Sequence, residues 1–218
     1  MSSVRVHNLA ISLDGFGTGV DLSREAPFGH AGGRLMEWFF PTHTFQSQTG
    51  DRERVDSATR GADDAFAGRW GQNIGAEIMG AGKFGPPGWQ SDPDWTGWWG
   101  DEPPFHTPVF VLTHHPRDPI EKEGGTTFHF LEAAPAEALA VARGAAGGGD
   151  VRLGGGPSTV RDFLAAGLVD ELHVVQVPIL LGRGVRLWDG LEGLESAYAV
   201  ESTTTASGVT HLVFTRAG

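Results

Sequence analysis

The sequence predicts an α/β fold of three layers: a mostly parallel central sheet, flanking helices, and antiparallel strands at the C-terminus. Three observations predict it. Apolar runs of strand length alternate with helical segments through the second half of the chain, the pattern of βαβ units. Two strand-like runs, near 198–204 and 209–215, follow one another at the end, as an antiparallel pair at a sheet edge would. Three consecutive glycines, Gly154–Gly156, sit where one strand turns into a helix. With 218 residues the chain fits one domain, 1–218, with a sizeable core.

Taken in order, residues 4–13 (VRVHNLAISL) begin with Val4 and Val6 alternating with Arg5 and His7. They then turn continuously apolar, as a strand entering a sheet interior does. Asp14-Gly15 is a turn signal, and a Gly-containing loop runs to about residue 30. Residues 33–40 (GRLMEWFF) read as a short helix whose only acid is Glu37. A second helix is expected within 56–70, and strand 76–80 follows. Residues 85–108 hold six of the 13 prolines and four of the seven tryptophans. Proline density forbids a helix and aromatic density argues against a floppy linker, so this is an ordered loop. Two roles stay open for it: capping a core edge or subunit contact, and touching ligand. Strands 109–113 and 126–131, an Ala-rich helix near 135–146, strand 150–153, a helix from 157 and strand 171–179 complete the alternation. In the helix from 157, Val160, Phe163, Leu164 and Leu168 share one apolar face.

Composition excludes several classes. A hydrophobic fraction of 39%, 20% charged residues and a mean hydropathy of −0.18 describe a soluble globular chain. No run approaches the ~20 apolar residues of a membrane helix, and MSSVRVHNLAIS lacks the h-region and cleavage site of a signal peptide. A net charge of −11 with 16 Lys and Arg argues against general nucleic-acid binding. With no cysteine there is no disulfide, thiolate metal site or thiol nucleophile. A cytoplasmic protein is expected, without membrane or nucleic-acid partners.

A Walker A loop fails, since Gly82-Lys83 is followed by Phe84 and Glu77 stands where the first Gly belongs. The Rossmann G-x-G-x-x-G is half met: Gly154 and Gly156 are in place, but Thr159 occupies the third position. There is no HExxH, adjacent His114-His115 cannot aim both rings one way along a strand, and no metal site is expected. No G-x-S-x-G supports serine hydrolysis. Three loops remain, after Met79, after Leu112 and at Gly154–Gly156. All follow predicted strands, so a parallel sheet would bring them to one rim, the carboxyl edge where ligands of doubly wound folds bind. The glycine turn has two explanations, sharp strand-to-helix geometry and close backbone approach to a phosphate at a helix start.

NLAISLDGF, MGAGKFG, VFVLTHHPR and RLGGGPSTVRDFLAAGLVDELHVVQVPILLGRGVRLWDG, in this order, resemble the dihydrofolate-reductase-like superfamily. The likeness is closest to the C-terminal reductase domain of bifunctional riboflavin-biosynthesis proteins and covers nearly the whole chain. It implies an NADPH-dependent reductase, with NADH as the alternative cofactor, acting on a small heterocycle of pterin or aminopyrimidine type. By position, Gly154, Gly155 and Gly156 with Pro157, Ser158 and Thr159 would hold the pyrophosphate. Gly80, Ala81, Gly82, Lys83 and Phe84 would pass along the adenosine half, and Thr113, His114 and Arg117 would flank its 2′ position. Ala10 would face the nicotinamide, with Gly17, Thr18 and Gly19 closing over the ring. The resemblance also implies a basic residue directly after Met79-Gly80. Ala81 and Gly82 stand there instead, leaving Lys83 and Arg117 as substitutes. Hydride reduction needs a proton source; Glu37 is one candidate and Asp14 the other, set against a solvated helix charge and a turn cap. A homodimer is expected by analogy. The alternative function is a non-catalytic dinucleotide- or ligand-binding protein on the same scaffold.

Overall fold

The computed structural model describes residues 2–49 and 52–218. Strand β1 (Val4–Ser12) lies centrally because both of its faces are buried: Val4, Val6 and Ile11 serve one apolar cluster and Ala10 another. Strand β7 (Asp150–Leu153) pairs with it in parallel on one side and β8 (Glu171–Val177) on the other. Beyond β7, the parallel run continues through β3 (Ile74–Gly80), β4 (Pro108–Leu112) and β6 (Thr127–Leu131). Beyond β8, β11 (Thr210–Arg216) and β10 (Tyr198–Thr204) form the expected antiparallel pair, with β10 at the edge. The two-residue β5 (Ile120–Glu121) closes the far edge, giving the order β10-β11-β8-β1-β7-β3-β4-β6-β5. A separate two-stranded sheet pairs β2 (Phe16–Thr18) with β9 (Val185–Arg186).

One face is covered by α5 (Pro135–Ala145) and α6 (Pro157–Ala165), whose Ala138, Leu139, Val160, Phe163 and Leu164 pack on Val6, Ile78 and Leu153. The other face carries two clusters. Near β8, Ala10, Leu35, Trp38 and Val175 pack with Ala67 at the end of α3 (Ala62–Ala67). Near β4 and β6, Met79, Val111, Phe128 and Phe130 pack with Trp89, Phe105 and the short α4 (Ala81–Phe84). Between these clusters, β1, β7 and β3 present His7, Arg152 and Glu77, all buried.

Differences from the sequence reading have local causes. Residues 33–40 are not an α-helix: a 3-10 turn spans Gly29–Leu35 with Gly32 at φ 53, and turns follow. Helices α1 (His43–Thr49) and α2 (Arg52–Ser57) lack an apolar stripe and were not anticipated. The strand expected over 171–179 ends at Val177, because Pro178 offers no N–H to a ladder. Strand β10 exposes Val200 among Glu201, Ser202, Thr203 and Thr204, so this edge of the sheet is largely polar. Among the described residues no helix is long and apolar enough to cross a membrane.

A histidine chain braces the β8 side. The Asn8 N–H donates to His173 Nδ1 at 3.3 Å, which leaves Nε2–H of His173 to donate to His211 Nδ1 at 2.9 Å, and His211 Nε2–H to donate to Asp63 at 2.9 Å. His7 lies beside it with neither ring nitrogen hydrogen-bonded. Burial, reinforced for His7 by Arg5 and for His173 by His211, lowers both pKa values to about 3. Both rings are therefore neutral in the native state and protonated in the unfolded chain below about pH 6.5. Stability is expected to fall as pH drops from 7 toward 5, with a slope approaching about 1.4 kcal/mol per pH unit for each histidine. Urea unfolding at stepped pH measures this, and a flat profile over that range would contradict it.

Candidate active site

The carboxyl ends of β7, β3 and β4 are neighbours, so the three loops singled out in the sequence open on one rim. The Gly154 N–H donates to the Ile78 carbonyl at 2.8 Å, and the Gly80 N–H to the Gly155 carbonyl at 3.0 Å, carrying the β3–β7 pairing past the strand ends. Close approach explains two of the glycines: a Cβ on Gly80 would strike Thr159 Oγ1, and one on Gly154 would strike Glu77 Oε1 and Lys83 Nζ. Gly155 sits at φ +104, a conformation costly for any other residue. Helix α6 then starts at Pro157 with no side chain capping it, so its first-turn N–H groups remain available at the positive end of the helix dipole.

These loops border a cleft of about 1540 Å³, above the ~300–1,000 Å³ of a site for one drug-sized ligand. A dinucleotide and a small second ligand fit that volume. Of the residues expected at the cofactor, Ala10, Gly17, Thr18, Gly19, Gly80, Ala81, Gly82, Lys83, Thr113, His114 and Gly154 through Thr159 all line it. Phe84 does not: it is fully buried between Trp89, Phe128 and Phe130. Nor does Arg117, whose guanidinium stacks over Phe84, Trp89 and Phe130 and donates to the Trp95 carbonyl at 2.5 Å. The aromatic loop has taken this side chain as its own scaffold.

Both expected acids lie outside the cleft lining. Glu37 is exposed in the turns after Leu35. Asp14 accepts hydrogen bonds from Ser12 Oγ at 2.5 Å and from the Leu181 and Gly182 N–H groups at 3.1 and 2.7 Å. The Ser12 bond, helped by these amides, lowers its pKa to about 2. Such a carboxylate holds a turn and has no proton to give near neutrality.

The charged centre of the site lies elsewhere. Glu77, with no exposed surface, takes Arg152 Nε at 2.7 Å and Arg152 Nη2 on one oxygen, and Lys83 Nζ at 3.0 Å on the other. Arg152 also donates to the Trp70 carbonyl at 2.7 Å and stacks 4.2 Å from the Trp70 ring centroid. Burial alone would raise the Glu77 pKa, but the two cations outweigh it and hold it down. Burial likewise lowers Lys83, with Glu77 opposing. The Lys83 side chain remains 29% exposed, lines the cleft, and lies 5.6 Å from the Phe105 ring centroid. Sequence reasoning missed Glu77 and Arg152 as a pair. The available signal was a charge inside each apolar strand, in GAEIMG and DVRL, and parallel pairing places the two side by side. In the proline- and tryptophan-rich loop, Trp89 and Phe105 pack on the core beside β4 and β6, while Trp98, Trp99 and Phe105 line the cleft.

A family model described as the RibD C-terminal domain matches residues 5–211. The chain belongs to that family. That family is of the riboflavin-pathway pyrimidine-reductase type. Solved structures with the same fold include a provisionally named riboflavin biosynthesis protein of Shewanella sp. PV-4, at 20% identity, TM-score 0.57 and full coverage of both chains. A pyrimidine reductase-like protein of Corynebacterium diphtheriae matches at 13% identity and TM-score 0.51, over 100% of this chain and 91% of that one. A diaminohydroxyphosphoribosylaminopyrimidine deaminase/5-amino-6-(5-phosphoribosylamino)uracil reductase of Thermotoga maritima matches at 12% identity and TM-score 0.52, over 99% of this chain and 57% of that one. At these identities the structures speak for the shared fold. No curated protein matches the chain.

Proposed function

We propose that this RibD C-terminal domain reduces a small flat heterocycle, pterin-like or aminopyrimidine-like, with a reduced nicotinamide dinucleotide as co-substrate. The observation that carries this is the convergence of Gly80, Gly154 and Gly155 at the open start of α6, beside Lys83 in one large cleft. The glycines let the backbone approach a diphosphate, and the α6 amides bind it. When bound, the dinucleotide supplies the hydride. Ala10 and the Gly17–Gly19 loop bound the cleft beyond the glycine turn and would place the ring to be reduced. Lys83 Nζ, steered by Glu77, carries the proton that the reduced heteroatom takes up. NADPH is the cofactor suggested by resemblance, and NADH the alternative.

The test is direct. Purified protein should quench or shift nicotinamide fluorescence at micromolar dinucleotide and oxidise it with at least one member of a panel of pterins and aminopyrimidines. Failure of both NADH and NADPH to bind would refute the reading. A non-catalytic binding protein is the second reading, favoured by the absence of both expected acids from the cleft. It requires binding without oxidation across the whole panel.

A further inference from the structure

The reductase reading leaves open which dinucleotide and what kind of ring the cleft accepts, and its charge inventory answers both. The Arg and Lys side chains that line it, among the described residues, are Lys83 and Arg152. Both face Glu77: Arg152 uses Nε and Nη2 there and Nη1 on the Trp70 carbonyl, and Lys83 gives one of its three donors to the other carboxylate oxygen. Three carboxylates line the cleft, Glu132, Glu137 and Asp162, with Glu132 paired to the lining His114 at 3.0 Å, and buried Glu77 lies behind Lys83 and Arg152. Two cations thus stand among four acids, in a chain of net charge −11. Arg117 is held under Trp95.

A diphosphate bridge carries its charge over two phosphates and can be met by backbone amides at a helix start. A terminal phosphate is a compact dianion that needs a charged partner once removed from water. Beyond the strand ends, the cleft is walled by Phe28, Phe39, Phe45, Trp70, Trp98 and Trp99, which suit a flat uncharged ring and offer nothing to a phosphate.

We propose that the cleft selects against terminal phosphates: it takes NADH, which lacks the 2′-phosphate, in preference to NADPH, and a flat heterocycle that carries no phosphate ester. This rests on the reductase reading and sets the chain apart from the Thermotoga maritima neighbour, whose name specifies a phosphoribosyl substrate.

Isothermal titration of the intact protein with two matched pairs tests it. The pairs are NADH against NADPH, and, with NADH present, 5-amino-6-ribosylaminouracil against its 5-phosphate. In each pair the phosphate-free member is expected to bind at least about tenfold more tightly, the cost of one poorly paired phosphate. Equal or tighter binding by NADPH or by the phosphate ester would overturn the proposal, as would failure of the phosphate-free ring to bind. The two claims fail separately. NADH that binds selectively but is never oxidised removes the reductase reading and keeps this one, whereas NADPH that binds more tightly and is oxidised does the reverse.

Discussion

Replacing Glu77 by glutamine is expected to destabilise the protein by about 3–5 kcal/mol, the usual penalty for removing one partner of a buried ion pair. The amide keeps the shape of the carboxylate, so packing is unchanged, while Arg152 loses the charge that accepts both Nε and Nη2, and Lys83 loses its contact at 3.0 Å. Arg152 keeps the Trp70 carbonyl and the Trp70 and Phe105 rings, which do not neutralise a guanidinium with a side chain 5% exposed. Urea unfolding measures the loss. The control is the double variant Glu77→Gln with Arg152→Met, which removes most of the stranded charge and should recover more than half of the deficit. If the single variant costs less than about 1 kcal/mol, or if the double variant costs the sum of its parts, the pair is not a coupled buried unit.

Lys83→Met is expected to lower turnover about 10²–10⁴-fold, the range for loss of a positioned proton donor. The methionine fills the stem volume, and Glu77 keeps Arg152, so the fold survives. Diphosphate binding depends on the backbone of Gly154–Thr159, so the dissociation constant for the dinucleotide should stay within a few-fold of wild type. The readout that separates this role from a structural one is the pH profile. Burial lowers the pKa of Lys83, so wild-type turnover should decline on the alkaline side as the ammonium deprotonates, and the variant should lose that limb. Lys83→Arg should not rescue turnover, because guanidinium keeps its proton throughout the working range. Turnover unchanged in Lys83→Met would assign the proton to another group.

Much of this arrangement was written locally. The continuously apolar stretch of β1, the apolar face Val160, Phe163, Leu164 of α6 and the consecutive C-terminal strands each follow from periodicity, which reports which side of an element is buried. The glycine turn was legible too, since only glycine reaches the backbone conformation of Gly155. Short or weakly patterned pieces were not: β2, β5 and β9 span two or three residues, and α1 is held by contacts such as Thr44 N–H to Asp64 at 2.7 Å.

The sequence by itself determined the α/β class, the positions of the principal strands along the chain and the three loops that meet at one rim. These depend on spacing along the chain, and parallel strands share a carboxyl edge whatever their neighbours. Only the tertiary structure decided the electrostatics of the site. Glu77 and Arg152 lie 75 positions apart and become partners because β3 pairs with β7. Arg117 was withdrawn from the cleft by aromatic rings contributed from three separate segments. Charge acts through distance in space, and for these residues distance in space is set by strand order and packing, which no local pattern encodes.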